Sequence, residues 1–416
     1  MRFLLRTYGC RANQYDSEAV RSMLVSAGAE AAEGTGDADV AVFNSCSVTA
    51  AAEAELRKDV RRLARANPGM RTIVMGCAPG LIGRDELSNP LRTLPTVTDT
   101  LVGADLESIA SALGLPSQLA RAPRGIQTGA RALLRIQDGC DEHCTFCMTT
   151  VARGANRSRQ TGELVREAAV LAETHPEIVL TGIHIGSYGL DIGTCLSALV
   201  SRLMEAVPSV RFRLSSLEAT EVDDRLRELF GDHRRLAPYL HAPLQSASDR
   251  VLKRMGRSWY TARTYESSVE KIVSRAGFFG LGADVICGFP GETEDDHRET
   301  LAMVERLPFT SLHVFPYSAR PGTASLRLGP AVGSEEIRRR CEEVRDISQR
   351  KANEYNVLRS GTQSDVVVTK SGGGLTEDYL AVSVSDPAIR RRARFDATLT
   401  LRSGQLTASP TPTPPA

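Results

Sequence analysis

The chain has 416 residues, of which 42% are hydrophobic and 24% are charged. At about 150 residues per domain, this length predicts roughly three domains, each able to bury a core without disulfides. The composition excludes collagen-like, coiled-coil and wholly disordered proteins. The formal net charge is +1, so overall charge does not by itself indicate a nucleic-acid binder.

The sequence has no apolar segment typical of a signal peptide or a membrane span. The start, MRFLLRTYGCRANQYDSE, has only Phe3–Leu5 as an apolar run before Arg6. A run of about 18 apolar residues, which a membrane helix needs, does not occur. We therefore expect a cytoplasmic protein without a membrane partner. Cysteines stay reduced there, so clustered cysteines indicate metal or redox sites.

Short apolar runs alternate with helical patterns over residues 1–115, which predicts a parallel α/β domain. The predicted strands are Phe3–Tyr8, Val40–Asn44 and Thr72–Gly76, with Leu101–Val102 as a possible fourth. The predicted helices are Ser17–Ala27 and Ala50–Ala66. Residues 116–130 lack apolar periodicity and contain proline and glycine, so we predict a linker there.

The β/α alternation resumes over residues 131–358, and its six units favour a partial (β/α)6 barrel over an open sheet. The predicted strands are Leu133–Gln137, Ile178–Thr181, Arg211–Ser215, Leu240–Leu244, Ala283–Cys287 and Leu312–Pro316. Helical patterns include Glu163–Thr174, Leu196–Ala206, Tyr265–Arg275 and the charged segment Ser334–Leu358.

Residues 359–407 change character and predict a small all-β module, with strands joined by glycine and aspartate turns. Its predicted strands are Asp365–Thr369, Tyr379–Val384 and Arg394–Leu401. Residues 408–416 are rich in proline and threonine, and we expect this tail to be disordered.

Three cysteines lie close together in the motif GCDEHCTFC, at Cys140, Cys144 and Cys147. We call them the cysteine loop. Their C-x3-C-x2-C spacing can bring three thiolates onto one metal centre. Because iron–sulfur clusters usually take four cysteines, one iron would remain open for another ligand. A zinc site is the alternative, but His143 directly adjoins Cys144 and is poorly placed to complete it.

Three other cysteines are distant in sequence, yet each ends a predicted strand: Cys10, Cys46 and Cys77. We call them the strand-end cysteines. The carboxyl ends of parallel strands meet at one edge of a sheet, so we expect these thiols to converge in one crevice. Buried structural cysteines are the alternative. The remaining cysteines show no such pattern: Cys195, Cys287 and Cys341.

The cysteine loop resembles that of the radical S-adenosylmethionine enzymes, and further motifs resemble their methylthiotransferase family. TYGCRANQYDSE, NSCSVT and MGC resemble the amino-terminal domain of that family. HAPLQSASDRVLKRMGR, VICGFPGETEDD and FPYSARPGT resemble its barrel, and GLTEDYLAV resembles its TRAM module, a small RNA-binding β-barrel. The resemblance reaches to about residue 405.

This resemblance implies two [4Fe-4S] clusters. The cysteine loop would hold the catalytic cluster, whose fourth iron binds S-adenosyl-L-methionine and whose electron yields a 5′-deoxyadenosyl radical. The strand-end cysteines would hold an auxiliary cluster that carries sulfur. A second S-adenosylmethionine would methylate that sulfur. The family also implies an electron donor such as flavodoxin or ferredoxin.

Two segments, EIVLTGIHIGSYG and SLHVFPYSARPGT, are most similar to one branch of the family. That branch converts N6-threonylcarbamoyladenosine at position 37 of tRNA, in the anticodon loop, to its 2-methylthio derivative. The adenine has to be unstacked to react, which costs less in a loop than in a duplex. The same chemistry on isopentenyladenosine or on a ribosomal-protein aspartate is the alternative, and a zinc-containing RNA-binding protein is an alternative of another class.

Several residues are candidates for contacts with the cofactor or the substrate. Phe146 matches the aromatic residue before the family's third cysteine. Thr181 and Gly182 follow a predicted strand, where a small residue lets a ligand approach closely. Candidates near other strand ends, where barrel active sites form, are Glu218, Gln245 and Gly288.

Two sets of arginines are candidates for binding anions. Arg320 is the candidate partner of the threonylcarbamoyl carboxylate, because its planar guanidinium can bond two oxygens at once. Arg338–Arg340 in the charged segment, and Arg390–Arg392 with Arg394 in the small module, are candidates for phosphate contacts, and solvated faces are the alternative.

Overall fold

The computed structural model of the chain describes residues 1–46, 50–81, 90–121, 126–232 and 234–411. None of the helices in these ranges combines the length and the apolar character that a membrane crossing needs.

The amino-terminal domain contains a five-stranded, all-parallel sheet in the order β2-β1-β3-β4-β5. Its elements are β1 Arg2–Thr7, α1 Arg11–Ser26, β2 Glu30–Ala31, β3 Val40–Ser45, α2 Ala50–Ala66, β4 Arg71–Gly76, α3 Cys77–Leu81, β5 Val97–Val102 and α4 Leu106–Leu113. Alternate residues face opposite sides, so Val42 packs with α1 while Phe43 packs with α2. This confirms the predicted parallel α/β fold.

The boundaries in this domain differ from the prediction at several places. Helix α1 begins at Arg11, six residues before the predicted Ser17, because its first turn follows β1 almost directly. The prediction does not contain β2 or α4, which are short, with two and eight residues. In the predicted linker, Ser117–Arg121 forms a 3-10 turn, and residues 122–125 lie outside the described part of the chain.

The central domain is a partial barrel of six parallel strands, as predicted. Its elements are β6 Ala132–Arg135, β7 Gln137–Asp138, α5 Thr149–Arg153, β8 Arg157–Ser158, α6 Thr161–Ala172, β9 Glu177–Thr181, α7 Leu196–Ala206, β10 Arg211–Leu214, α8 Asp224–Leu229, β11 Tyr239–His241, α9 Asp249–Arg254, α10 Ala262–Val273, β12 Gly280–Cys287, α11 Glu294–Arg306, β13 Ser311–Pro316 and α12 Ser334–Arg359. Sheets β6-β9-β10 and β11-β12-β13 supply the six parallel strands of its wall, and β7 and β8 form a separate antiparallel pair. The bridges Phe212–Leu236 and Ser216–His241 join the two halves.

The carboxyl-terminal module is a closed five-stranded barrel in the order β14-β15-β16-β18-β17. Its strands are β14 Gln363–Lys370, β15 Gly373–Leu375, β16 Ala381–Val384, β17 Arg394–Arg402 and β18 Gln405–Pro410. The expected disordered tail at 408–416 is therefore wrong for its first residues. Strand β18 pairs with β17, and Leu406 and Ala408 fill the module's core. Residues 412–416 lie outside the described part of the chain.

The arginines of this module hold it against the rest of the chain. Arg391 and Arg392 donate to backbone carbonyl oxygens of residues 127–129, next to the predicted linker's end. Arg394 pairs with Asp365 at 2.6 Å. These guanidinium groups are occupied within the protein, which argues against the phosphate contacts proposed for them from sequence.

A buried ion network fixes the module to the base of the barrel. Glu177 on β9 is fully buried and lies 2.7 Å from Arg211 Nε and 2.8 Å from Arg213 Nε. Arg211 reaches on to Asp365 of β14 at 3.0 Å. Burial alone would raise the pKa of Glu177, but the positive charges of Arg213 and Arg211 outweigh it and lower that pKa. Strand β9 is thereby tied to the module through ionised groups.

We predict that Glu177→Gln destabilises the protein by about 3–5 kcal/mol, because it leaves buried arginines without their counter-ion. Thermal and urea unfolding of the full chain measures the change. Glu205→Gln is the matched control, since its pair with Arg202 is exposed and worth about 1 kcal/mol or less. Equal effects of the two variants would contradict the structural role of the network.

Candidate active site

The cysteine loop lies between β7 and α5, at the carboxyl-terminal end of the barrel strands. Each sulfur faces an N–H donor. The backbone N–H of Glu142 points to Cys140 Sγ at 3.4 Å, and that of Thr149 to Cys147 Sγ at 3.3 Å. Donors aimed at sulfur stabilise thiolates, which are the form that binds metal.

Arg257 supplies the third donor. Its Nη1 lies 3.6 Å from Cys144 Sγ, and its Nη2 pairs with the buried carboxylate of Glu218. Burial raises the pKa of Cys144 to about 12, although Arg257 opposes this shift. This thiol is hard to ionise on its own. It becomes a thiolate when a bound metal compensates the negative charge.

A cavity of about 240 Å³ opens beside the cysteine loop. It is lined by Phe146, Cys147, Met148, Thr149, Gln245, Asp284, Ile286, Phe315, Pro316, Tyr317, Ser318 and Arg320. Gln245 has a φ of +60°, a left-handed conformation that a side chain of this type rarely adopts. Such strain is concentrated at functional sites. The cavity thus brings three sequence candidates, Phe146, Gln245 and Arg320, together beside a cysteine of the loop.

Four other candidates lie near the site but have protein partners. Thr181 ends β9 and is buried, and the space beside Gly182 is filled by the Gln137 side chain. Glu218 is held by Arg257. Gly288 packs so closely on Ile337 that a Cβ there would lie 2.3 Å from its Cγ1. The structure gives these residues packing or positioning contacts, and their contacts with S-adenosylmethionine stay predictions.

The strand-end cysteines meet at one edge of the amino-terminal sheet. Cys10 Sγ and Cys77 Sγ each lie 3.9 Å from the same oxygen of Asn13. Gly9 packs against Cys46 at a φ of +99°, where a Cβ would lie 2.7 Å from Cys46 Sγ. Burial raises the pKa of Cys77 to about 11, opposed by a neighbouring arginine and increased by the charges of the other two thiolates.

That neighbouring arginine, Arg153, connects the two cysteine sites. It ends α5, which begins two residues after Cys147. Its Nε lies 3.4 Å from Cys77 Sγ, while its other nitrogens lie 2.9 Å from Asp16 and 3.0 Å from Asp138. The side chain is 1% exposed. Both cysteine sites therefore border the same α3–α5 contact.

Sequence reasoning did not find Arg153, Arg257 or Asn13 as site residues. Each contacts a cysteine that is distant in sequence, as Arg153 contacts Cys77, 76 residues away. Arg153 is one of several arginines near the cysteine loop, and no motif of the sequence distinguishes it from them. Its burial, which sets it apart from its neighbours, depends on domain packing that no local pattern encodes.

A further group of metal-binding side chains lies outside both cysteine sites. Within the described ranges, only His241, Asp284 and His313 bring three metal-binding atoms within 4.8 Å of one another.

Comparison with known proteins identifies the family. Residues 134–304 match the Radical SAM superfamily, and residues 2–97 match the Uncharacterized protein family UPF0004. The chain is 31% identical to the threonylcarbamoyladenosine tRNA methylthiotransferase MtaB of Aquifex aeolicus, over 92% of this chain and 96% of that protein. The chain belongs to the tRNA methylthiotransferase family. It is a radical S-adenosylmethionine methylthiotransferase, and this family uses S-adenosylmethionine and a [4Fe-4S] cluster.

Other members of the family are similarly distant. The MtaB protein of Bacillus subtilis is 34% identical over 91% of this chain and 87% of its own length. The tRNA-2-methylthio-N(6)-dimethylallyladenosine synthase of Arthrobacter sp. is 32% identical, over 90% and 75%. The fold is that of TsrM, a radical S-adenosylmethionine methyltransferase from Kitasatospora setae, with a TM-score of 0.55, 14% identity, and coverage of 76% of this chain and 72% of that one.

We predict that Cys144→Ala abolishes reductive cleavage of S-adenosylmethionine, because the radical cluster loses a ligand. Formation of 5′-deoxyadenosine by the anaerobically reconstituted protein measures the loss. Cys195→Ala is the matched control, since Cys195 is exposed and lies outside both cysteine sites. Cleavage at the wild-type rate in Cys144→Ala would refute the assignment of the cysteine loop.

Proposed function

We propose that this methylthiotransferase converts N6-threonylcarbamoyladenosine at position 37 of tRNA to its 2-methylthio derivative. The observation that carries this proposal is the closeness of the two cysteine sites: Arg153, which contacts Cys77, ends the short helix that begins two residues after Cys147. A sulfur donor and a radical source must reach the same adenine carbon, so the two sites have to lie near each other. As an enzyme of tRNA, it would act in the cytoplasm.

The strand-end cysteines fit an auxiliary [4Fe-4S] cluster. Three thiols converge at one edge of the sheet, and Arg153 offers an N–H donor and a positive charge to one of them. Burial alone would lower the pKa of Arg153, but Asp16, Cys77 and Asp138 raise it, so the guanidinium stays charged. Such an outer donor stabilises a thiolate ligand. When bound, this cluster would carry the sulfur that is transferred.

The relatives fall into two groups that modify different adenosine derivatives, so similarity to them does not decide between the two substrates. Their names include both threonylcarbamoyladenosine and dimethylallyladenosine enzymes at nearly the same identity to this chain. The cavity itself favours the former, because it contains Arg320 and Asp284. An isopentenyl group would need an apolar pocket, in which buried charges are costly.

Arg320 remains our proposed partner for the substrate's carboxylate. Its side chain is 7% exposed and lies 2.6 Å from Glu53 of α2. Its Nε has no hydrogen-bond partner among the described residues, although it is buried. A buried N–H donor without a hydrogen-bond partner is unfavourable, and a ligand oxygen that reaches it would supply that partner.

An electron donor such as flavodoxin or ferredoxin would supply the reducing electron.

We expect Cys46→Ala to retain formation of 5′-deoxyadenosine but to stop methylthio transfer, because the radical source remains and the sulfur carrier is lost. Mass spectrometry of the digested tRNA measures the product, and metal analysis should fall from about eight to about four irons per chain. About two zinc ions per wild-type chain would favour the zinc-containing RNA-binding protein instead. If Cys46→Ala still forms the methylthio product, the strand-end cysteines are structural.

The substrate assignment is tested by offering the enzyme two tRNAs, one with threonylcarbamoyladenosine and one with isopentenyladenosine. We expect methylthiolation of the first. Arg320→Ala should reduce it by up to about 100-fold, which corresponds to a lost charged hydrogen bond, without changing cleavage of S-adenosylmethionine in the absence of tRNA. Modification of the second tRNA alone would overturn the assignment, and modification of neither would favour a protein substrate.

A further inference from the structure

Three polar side chains from neighbouring strands meet in the barrel, apart from both cysteine sites. They are His241 on β11, Asp284 on β12 and His313 on β13. His241 Nε2 lies 3.0 Å from Asp284 Oδ1, and His313 Nδ1 lies 3.2 Å from the same oxygen. We call these residues the histidine–aspartate cluster.

The cluster borders the cavity beside the cysteine loop. Asp284 lines this cavity together with Ile286 and Phe315. His313 precedes Phe315 by two residues on β13 and therefore shares its face of the strand. Their ring centroids are 6.4 Å apart. A charged group thus sits at the edge of an apolar part of the cavity wall.

His313 has one nitrogen bonded and one available. Nδ1 is held by Asp284, and nothing in the described part of the chain bonds to Nε2. Its side chain is 62% exposed, so a ligand can reach it. An aspartate that holds one ring nitrogen fixes the orientation of the ring and of the donor on its far side.

The charges of the cluster suit an anion. The hydrogen bond to Asp284 raises the pKa of His313, which favours the cationic ring, and Arg11 of α1 adds a further positive charge nearby. Burial would raise the pKa of Asp284, but the two histidines outweigh it and lower that pKa. A protonated His313 thus presents its unbonded Nε2–H to the exposed side of the cluster, where an anion can accept it.

Glu53 already takes one nitrogen of Arg320, so a substrate carboxylate would gain from a second N–H donor beside the same cavity. A carboxylate that leaves water needs a charged N–H donor to replace its hydration. We propose that His313, oriented by Asp284, binds the carboxylate of the substituent on the substrate adenine. This inference rests on the proposed function. It makes the histidine–aspartate cluster the part of the site that selects an adenine with an anionic substituent over one with an apolar substituent.

His241 is a positioning residue in this arrangement. It is buried, it approaches the same oxygen of Asp284 as His313 does, and its ring lies beside that of His313 with centroids 5.0 Å apart. It thus helps to fix the carboxylate that orients His313.

The test compares wild type with His313→Phe, which keeps a ring but removes the donor. Both are assayed as reconstituted holoenzymes with two anticodon stem-loops. One carries threonylcarbamoyladenosine, and the other carries its methyl ester, which lacks the negative charge. For the free carboxylate we expect kcat/KM to fall about 10- to 100-fold in the variant, as for the loss of a charged hydrogen bond. For the ester, the two proteins should have equal kcat/KM.

Two further variants sharpen the comparison. His313→Gln keeps a neutral N–H donor and should recover part of the loss. His297→Gln removes a histidine paired with Glu343 between α11 and α12, outside the cavity, and should behave as wild type. Formation of 5′-deoxyadenosine without RNA should be the same in all variants.

The possible outcomes separate this inference from the proposed function. If wild type modifies neither stem-loop, the proposed function fails and the inference with it. If wild type modifies the first and His313→Phe does so equally well, the inference alone fails. Binding of one Mn²⁺ per wild-type chain, lost in His313→Phe and coupled to activity that a chelator abolishes, would identify a divalent-metal site and overturn the proposal.

Discussion

The arrangement of the active site depends on one buried arginine. Arg153 lies at the end of the helix that follows the cysteine loop, and it reaches the thiol of Cys77 in another domain. Asp16 from one domain and Asp138 from the other balance its charge. A buried charge is stable only when its partners stay in place. The ion pairs therefore resist any movement that would separate the amino-terminal sheet from the barrel.

The same reasoning explains why so many charges are buried near the two cysteine sites. Burial raises the pKa of Cys77, and the charges of Cys10 and Cys46 raise it further. Arg153 beside the strand-end cysteines and Arg257 beside the cysteine loop supply compensating positive charge. Each arginine is in turn held by carboxylates, so neither is free to turn away from the sulfur. The fold thus places a positive charge beside one sulfur of each cysteine group.

The elements that the sequence predicts well are those set by local periodicity. Parallel strands were expected to bring the strand-end cysteines to one edge of the sheet, and the all-parallel order of β1, β3 and β4 does so. Arg153 and Arg257 could not be recognised, because their burial and partners arise from contacts between distant segments. The last strand, β18, was also missed, since a segment rich in threonine and proline resembles a disordered tail until its neighbours in the barrel are known.

The buried network around Glu177 has a mechanical consequence. It joins β9 of the barrel to β14 of the small module, and arginines of the module bind carbonyl oxygens at the start of the central domain. These contacts hold the module in one position against the barrel. The distance between the two parts is therefore fixed. Any ligand that contacts both parts must adapt its own shape to the distance between them, because the ion pairs keep that distance from changing.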